Sequence, residues 1–221
     1  MESTKESIHV KISSEIAKNI ITGQYSNCSL PTEMELSSHY SVSRNSVREA
    51  LKILASKGLL CSKQKAGTKV TPRSEWNFLD PQLYEWFSEL PEMEGVIAKF
   101  IRMQKLLIPE ACADAALNAT GEQRVQLSRV FQAFSTHIRE SENDLLSSKP
   151  LLSSFYRTLF IASNNELFSP YAKILDILFH SKDYQLSQPT INTLEIYQKI
   201  YDSIMIADEM SARKAARKLF N

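Results

Sequence analysis

Arg44, Asn45, Arg48 and Lys52 fall within nine consecutive positions and could do chemistry on a nucleic acid. An arginine can donate to two acceptors on the major-groove edge of guanine, and an asparagine can pair bidentately with adenine. At helical spacing these four fall largely on one face, opposite Val47, Leu51 and Leu54 with Ala50 beside them. Ser43 is placed to cap that helix, and Ser43 and Ser46 are short enough to donate to nearby phosphates. Further on, Lys63, Lys65 and Lys69 surround Gly67. Lysines on such a turn would neutralise backbone phosphates and give salt-dependent affinity. Catalytic chemistry finds little support. Ser153, Ser154, Tyr156 and Tyr197 could line a cleft, but there is no nucleophile-elbow motif, no phosphate-cradling glycine loop and no obvious histidine–acid dyad. The expectation is a protein that is not an enzyme and carries no cofactor.

These side chains need a scaffold, and residues 1–73 supply one. Ile8, Ile12, Ile16, Ile20 and Ile21 predict a helix from Ile8 to about Thr22, stopped by Gly23. Pro31 opens the next element, with Thr32 as cap and Glu33 and Glu35 at its positive end. Met34, Leu36 and Tyr40 are its expected buried side, and Ser41-Val42 the turn. The third helix runs from Ser43 to about Lys57 and ends at Gly58. Leu59–Ser62 and Thr68–Thr71 then read as two short strands joined by the basic turn Lys63–Gly67. Two short helices and a basic hairpin make a winged helix-turn-helix, with double-stranded DNA as its partner.

Pro72 blocks extension of the second strand, and residues 74–89 read as a linker and a short first helix. Helical patterns follow over Leu83–Glu89, Glu94–Asn118, Gln123–Ser141, Pro150–Ser163, Glu166–His180, Thr190–Ala207 and Asp208–Phe220. Pro109 is expected to kink the second of these or to mark a junction. Residues 90–221 therefore predict an all-α bundle of six or seven helices.

Composition agrees. The chain has 221 residues, 43% hydrophobic, with few Gly and Pro, enough for a small and a medium domain. Residues 1–73 hold 11 Lys/Arg against 6 Asp/Glu, whereas the rest holds 15 against 19. A basic head on an acidic body suits one domain that binds DNA and one that keeps away from it. Cys28, Cys61 and Cys112 are odd in number and form no metal-ligand pair, which favours a reducing, cytoplasmic setting. No apolar run is long enough to span a membrane, and no membrane partner is expected.

The head resembles the GntR family of bacterial repressors. The residues that carry this are Leu30-Pro31-Thr32-Glu33, Val42-Ser43-Arg44-Asn45-Ser46-Val47-Arg48-Glu49-Ala50-Leu51, Gly58-Leu59 and Gly67-Thr68. The resemblance implies that Arg44, Asn45, Arg48 and the wing glycine Gly67 approach an operator. It also implies that Glu33 and Glu49 help position the head, and that the protein binds a short palindrome as a homodimer. With Thr32 and Glu33 at the entrance of the second helix, these complete the candidate DNA-side set.

The body resembles the effector domain of the FadR subfamily, its FCD class. Landmarks are Trp76-Asn77-Phe78-Leu79-Asp80 with Trp86, Ile108-Pro109-Glu110-Ala111, Phe155-Tyr156 and Ala162-Ser163-Asn164-Asn165. The linker looks like the branch that includes the galactonate-catabolism repressor. That class implies an effector-binding and dimerisation domain over 90–221, and in many members a metal held by one aspartate and three histidines. The matching positions here are Leu152, Tyr156, Tyr197 and about Leu219, so no metal is expected. His180 with Asp183 is a residual pair that a solvated helix end explains equally well. The class places an arginine where this chain has Gln104; Arg102 stands two positions earlier, and Ile108 replaces the usual glutamate.

The candidate effector residues are thus Arg102, Gln104, Ile108, Leu152, Tyr156 and Tyr197. They suit a small, less polar ligand oriented by tyrosine hydroxyls, or equally a plain filled core. The function expected is a metabolite-responsive repressor. The alternative is a constitutive repressor whose helical body serves only dimerisation.

Overall fold

The computed structural model describes residues 7–25, 29–63, 67–140, 145–181, 184 and 191–220. The chain divides into two compact units, Met1–Met93 and Glu94–Asn221.

In the first unit, α1 (Ile8–Ile21) buries Ile12, Ile16, Ala17 and Ile20 and stops before Gly23, whose φ is +74°. α2 (Glu33–His39) begins with a capping box, in which the Thr32 side chain accepts from the Glu35 N–H while the Glu35 carboxylate accepts from the Thr32 N–H at 2.7 Å. Leu36 is its buried anchor. Met34 is 58% exposed and Tyr40 only half-buried, which corrects the apolar face expected for this helix. In a helix of seven residues, one inward position suffices, and Met34 lies two residues, about 200° of rotation, from Leu36. α3 (Arg44–Ser56) is capped by Ser43, whose Oγ accepts from the Ser46 N–H at 3.1 Å, and buries Val47, Ala50, Leu51 and Leu54. α1 and α2 both pack on α3.

β1 (Leu60–Lys63) and β2 (Gly67–Val70) form an antiparallel hairpin, with Leu60 opposite Val70 and Lys63 opposite Gly67. The strands are displaced by one residue from the sequence expectation, so Gly67 opens β2 rather than closing the turn. Ser29 bridges to Lys69 on the outer side of β2.

The segment expected to be a linker packs on the head. A 3-10 turn (Arg73–Glu75) leads to α4 (Pro81–Phe87), which buries Leu83, Tyr84, Trp86 and Phe87 and contacts α1. The Arg73 guanidinium lies 5.7, 5.8 and 5.0 Å from the ring centres of Trp76, Phe78 and Phe87. Asn77 N–H donates to the Lys57 carbonyl at 2.9 Å, and Lys57 pairs with Asp80. Gly58 explains the close approach: its φ is +79°, and a Cβ there would sit 2.3 Å from the Glu75 carbonyl oxygen. The first unit therefore continues to Met93, past the boundary at 73 read from the sequence.

The second unit is all-helical among the described residues. Its elements are α5 (Met93–Asn118, whose first residue closes the first unit), α6 (Gly121–Glu140), α7 (Leu145–Ala162), α8 (Ser169–His180), α9 (Ile191–Met205) and α10 (Glu209–Arg217). Short 3-10 turns at Glu166–Phe168 and Lys218–Phe220 complete it. α6 packs on α7 and α9, α7 on α8, and α9 on α10. Rings of Phe131, Phe134, Phe155, Tyr156, Phe179 and Tyr197 meet in the core. Pro109 lies inside α5, which continues through it as one helix. α7 begins at Leu145, five residues before the expected start, with Pro150 in its second turn. The stretch 166–180 divides into a 3-10 turn and α8, with Pro170 in the first turn of α8.

Candidate functional site

α3 presents the expected basic face. Arg44, Asn45, Arg48 and Lys52 are all exposed, while Val47, Ala50 and Leu54 are fully buried behind them. Arg48 is held from α2, its Nε donating to Glu33 Oε2 at 2.8 Å. A guanidinium has five N–H donors, so this bond leaves its two terminal amino groups to donate elsewhere. Lys52 Nζ donates to Glu49 Oε1 at 2.8 Å, one turn back on the same helix. Arg44 makes no ion pair among the described residues.

The remaining head residues serve two purposes. The Ser43 and Ser46 hydroxyls lie 2.9 Å apart, so both engage in the cap of α3. Thr32 does the same for α2, and its N–H and hydroxyl hold the Glu35 carboxyl below the usual carboxylate range. Gly67 and Lys69 are exposed on β2, and Gly67 has a φ of +73°. Lys63 is described in its backbone alone, and Lys65 lies outside the described residues. The helices thus bring Arg44, Asn45, Arg48 and Lys52 to one exposed surface, with Glu33 tying α2 to it.

The second unit gathers most of the expected interior residues. Gln104, Ile108, Leu152, Tyr156 and Tyr197 are all buried. The Tyr156 and Tyr197 hydroxyls are hydrogen-bonded at 3.0 Å. Arg102 is exposed and stands apart from this set, because two residues turn α5 by about 200°. Tyr184 joins the cluster, its hydroxyl donating to Gln104 Oε1 at 2.7 Å. The amide nitrogen of Gln104 is buried and has no hydrogen-bond partner among the described residues. Burial pushes all three phenols well above their ordinary range, and the neighbouring Cys112 thiol likewise, so the cluster stays uncharged at neutral pH. Leu219 is buried, and His180 Nδ1 lies 2.7 Å from its own helix's Asp176 carbonyl; Asp183 lies outside the described residues.

Residues 9–70 match the family described as bacterial regulatory proteins, gntR family. That stretch of the chain is thus similar to the gntR family, which supports a DNA-binding transcriptional regulator. The match is to a family of DNA-binding regulators, not of enzymes. Similarity to other regulators extends over nearly the whole chain. It is 29% identical over 209 residues to the uncharacterized HTH-type transcriptional regulator YieP of Escherichia coli K12, covering 94% of this chain and 90% of that protein. It is 25% identical over 206 residues to the galactonate operon transcriptional repressor of the same organism, covering 91% and 88%. A solved GntR structure from Streptococcus agalactiae shares the fold, with a TM-score of 0.53, 18% identity and coverage of 94% and 97%.

Sequence reasoning missed Tyr184 and Cys112 among the buried residues near Tyr156 and Tyr197. Tyr184 follows α8 in a polar stretch with no periodicity, so nothing in the sequence marks it as buried. No helix among the described residues is long and apolar enough to cross a membrane.

Proposed function

We propose that this protein is a GntR-family repressor of the FadR subfamily, that its homodimer binds a palindromic operator, and that a small molecule in an FCD-type bundle relieves the repression. The observation that carries the DNA part is the exposed face of α3, where Arg44, Asn45 and Arg48 stand free of the core. Arg44 and Arg48 read guanine edges, Asn45 reads adenine, and Lys52 and Lys69 neutralise phosphates. The β1–β2 hairpin acts as the wing, with Gly67 letting its backbone approach the duplex. Ser43, Ser46 and Thr32 present helix N-termini to phosphates. The name of the galactonate operon repressor, similar along most of its length, supports repression and the galactonate-repressor branch.

The sensing part is supported by the interior of the second unit. Tyr156, Tyr197, Tyr184 and Gln104 form a polar cluster within an otherwise aromatic and aliphatic core. An effector acts by preferring the arrangement of the dimer that spaces its two heads wrongly for the operator. A specific observation favours the second reading, in which the bundle only dimerises: Leu152, Tyr156, Tyr197 and Ile108 are each at most 1% exposed, as a filled core requires.

Fluorescence anisotropy with DNA from the regulator's own promoter region tests the proposal. Arg44→Ala and Arg48→Ala are each expected to weaken specific binding by about 1–3 kcal/mol, and Lys69→Ala to lower the salt slope by about one. Unchanged, salt-insensitive binding in the arginine variants would falsify the assigned surface.

A further inference from the structure

We infer that the interior cluster of the second unit takes an uncharged small molecule bearing a hydrogen-bond-accepting oxygen, and that Gln104 reads this oxygen. The inference rests on the sensing reading above and names the chemical class of its ligand.

Buried donors outnumber acceptors around Gln104. Gln104 is 2% exposed, and its Oε1 accepts from Tyr184. Its Nε2 carries two N–H groups, buried and without an acceptor among the described residues. Turning the amide over does not remove the surplus. Nε2 would then donate to the Tyr184 oxygen, and the Tyr184 O–H would lose its acceptor. Tyr156 and Tyr197 add to the excess, because one O–H serves their 3.0 Å bond and the other is left to donate. Buried donors without acceptors are costly, and Gln104 alone carries two of them. What the cluster lacks is an acceptor.

The surroundings select which acceptor. Phe134 and Phe155 pack against Tyr197, and Phe179 packs against both Tyr156 and Tyr184, at 6.2 and 5.2 Å between ring centres. Such walls suit an apolar body. Cys112 and the three phenols are neutral, and Arg102 is exposed, so the cluster itself offers no cation to a carboxylate. Nor does any group of three His, Cys, Asp or Glu side chains among the described residues offer a metal its ligands. A ketone, amide or ester oxygen on a compact apolar frame satisfies the surplus donors without bringing in charge.

The experiment is thermal shift on the full chain with matched pairs of probes. Each pair is a neutral amide or methyl ester beside the carboxylate it derives from, such as benzamide with benzoate, and zinc chloride is run alongside. Neutral members are expected to raise the melting temperature by several degrees and their carboxylates to leave it unchanged. Gln104→Met keeps the side-chain length and removes both the N–H donors and the amide oxygen, and the response to neutral probes should disappear in it. Circular dichroism establishes that this variant is folded, and Tyr156→Phe, expected to weaken the response severalfold, serves if it is not. Shifts that survive in both variants overturn the inference. If carboxylates or zinc shift the protein and neutral probes do not, the ligand class falls and sensing stands. If nothing shifts the protein, both fall, and the bundle is a dimerisation core.

Discussion

A single ion pair decides how the proposed DNA-binding face is presented. Arg48 and Glu33 lie 15 residues apart in the chain, and their bond joins α2 to α3 at the exposed face. Both side chains are too exposed for the pair to matter much to stability. Its value is in orientation, because it fixes Nε and leaves the terminal amino groups aimed outward. Glu33→Gln is therefore expected to leave the unfolding midpoint nearly unchanged, to weaken binding to the regulator's own promoter DNA severalfold, and to strengthen binding to unrelated DNA through the unmasked charge. Titrations against both duplexes in one buffer check this, and equal strengthening on both would show that Glu33 merely repels phosphate. Thr32 has the opposite balance. Its capping box closes the start of α2, so Thr32→Ala should cost about 1 kcal/mol in urea unfolding.

At the level of elements, the close contact between Gly58 and the Glu75 carbonyl carries the strongest expectation. Gly58→Ala asks an L-residue to hold φ +79° and puts its Cβ into that carbonyl. A loss above about 2 kcal/mol is expected in chemical denaturation, and a loss below 0.5 or so would mean that the 3-10 turn moves away without cost. α1 was legible from its isoleucine spacing and Gly23, and α2 and α3 from the capping residues Thr32 and Ser43. The hairpin was legible as an element but not in register, since Leu59 and Leu60 are both buried and alternation does not separate them. Met34 misled because a two-turn helix has too few positions for a stripe. Pro150 was read as a helix start and Pro109 as a kink or a junction, yet α7 begins before Pro150 and α5 continues through Pro109 as one helix. The interior cluster was half visible. Tyr156 and Tyr197 came from family landmarks, but the bond from Tyr184 depends on a chain path after α8 that no local pattern encodes.

For the molecule as a whole, ionisation links the core to stability. Tyr156, Tyr184 and Tyr197 hold their protons far above the ordinary phenol value near 10 because burial penalises the phenolate. The folded state thus binds those protons more tightly than the unfolded chain. Their contribution is complete below about pH 10 and is lost as pH rises from there toward the folded values. Half-buried Tyr40 in the first unit shifts in the same direction. Urea midpoints measured from pH 8 to about 11 should fall steeply above 10 or so, and less steeply in Tyr197→Phe; a flat profile would mean that the phenols reach water. The charge contrast between residues 1–73 and the rest does not mark where the first unit, Met1–Met93, ends. That ending matters to anyone who grafts this head onto a foreign sensor. A chimera spliced after Arg73 strips the guanidinium of Trp76, Phe78 and Phe87 and leaves α1 without α4, so it should aggregate, whereas one spliced after Met93 carries its own seal.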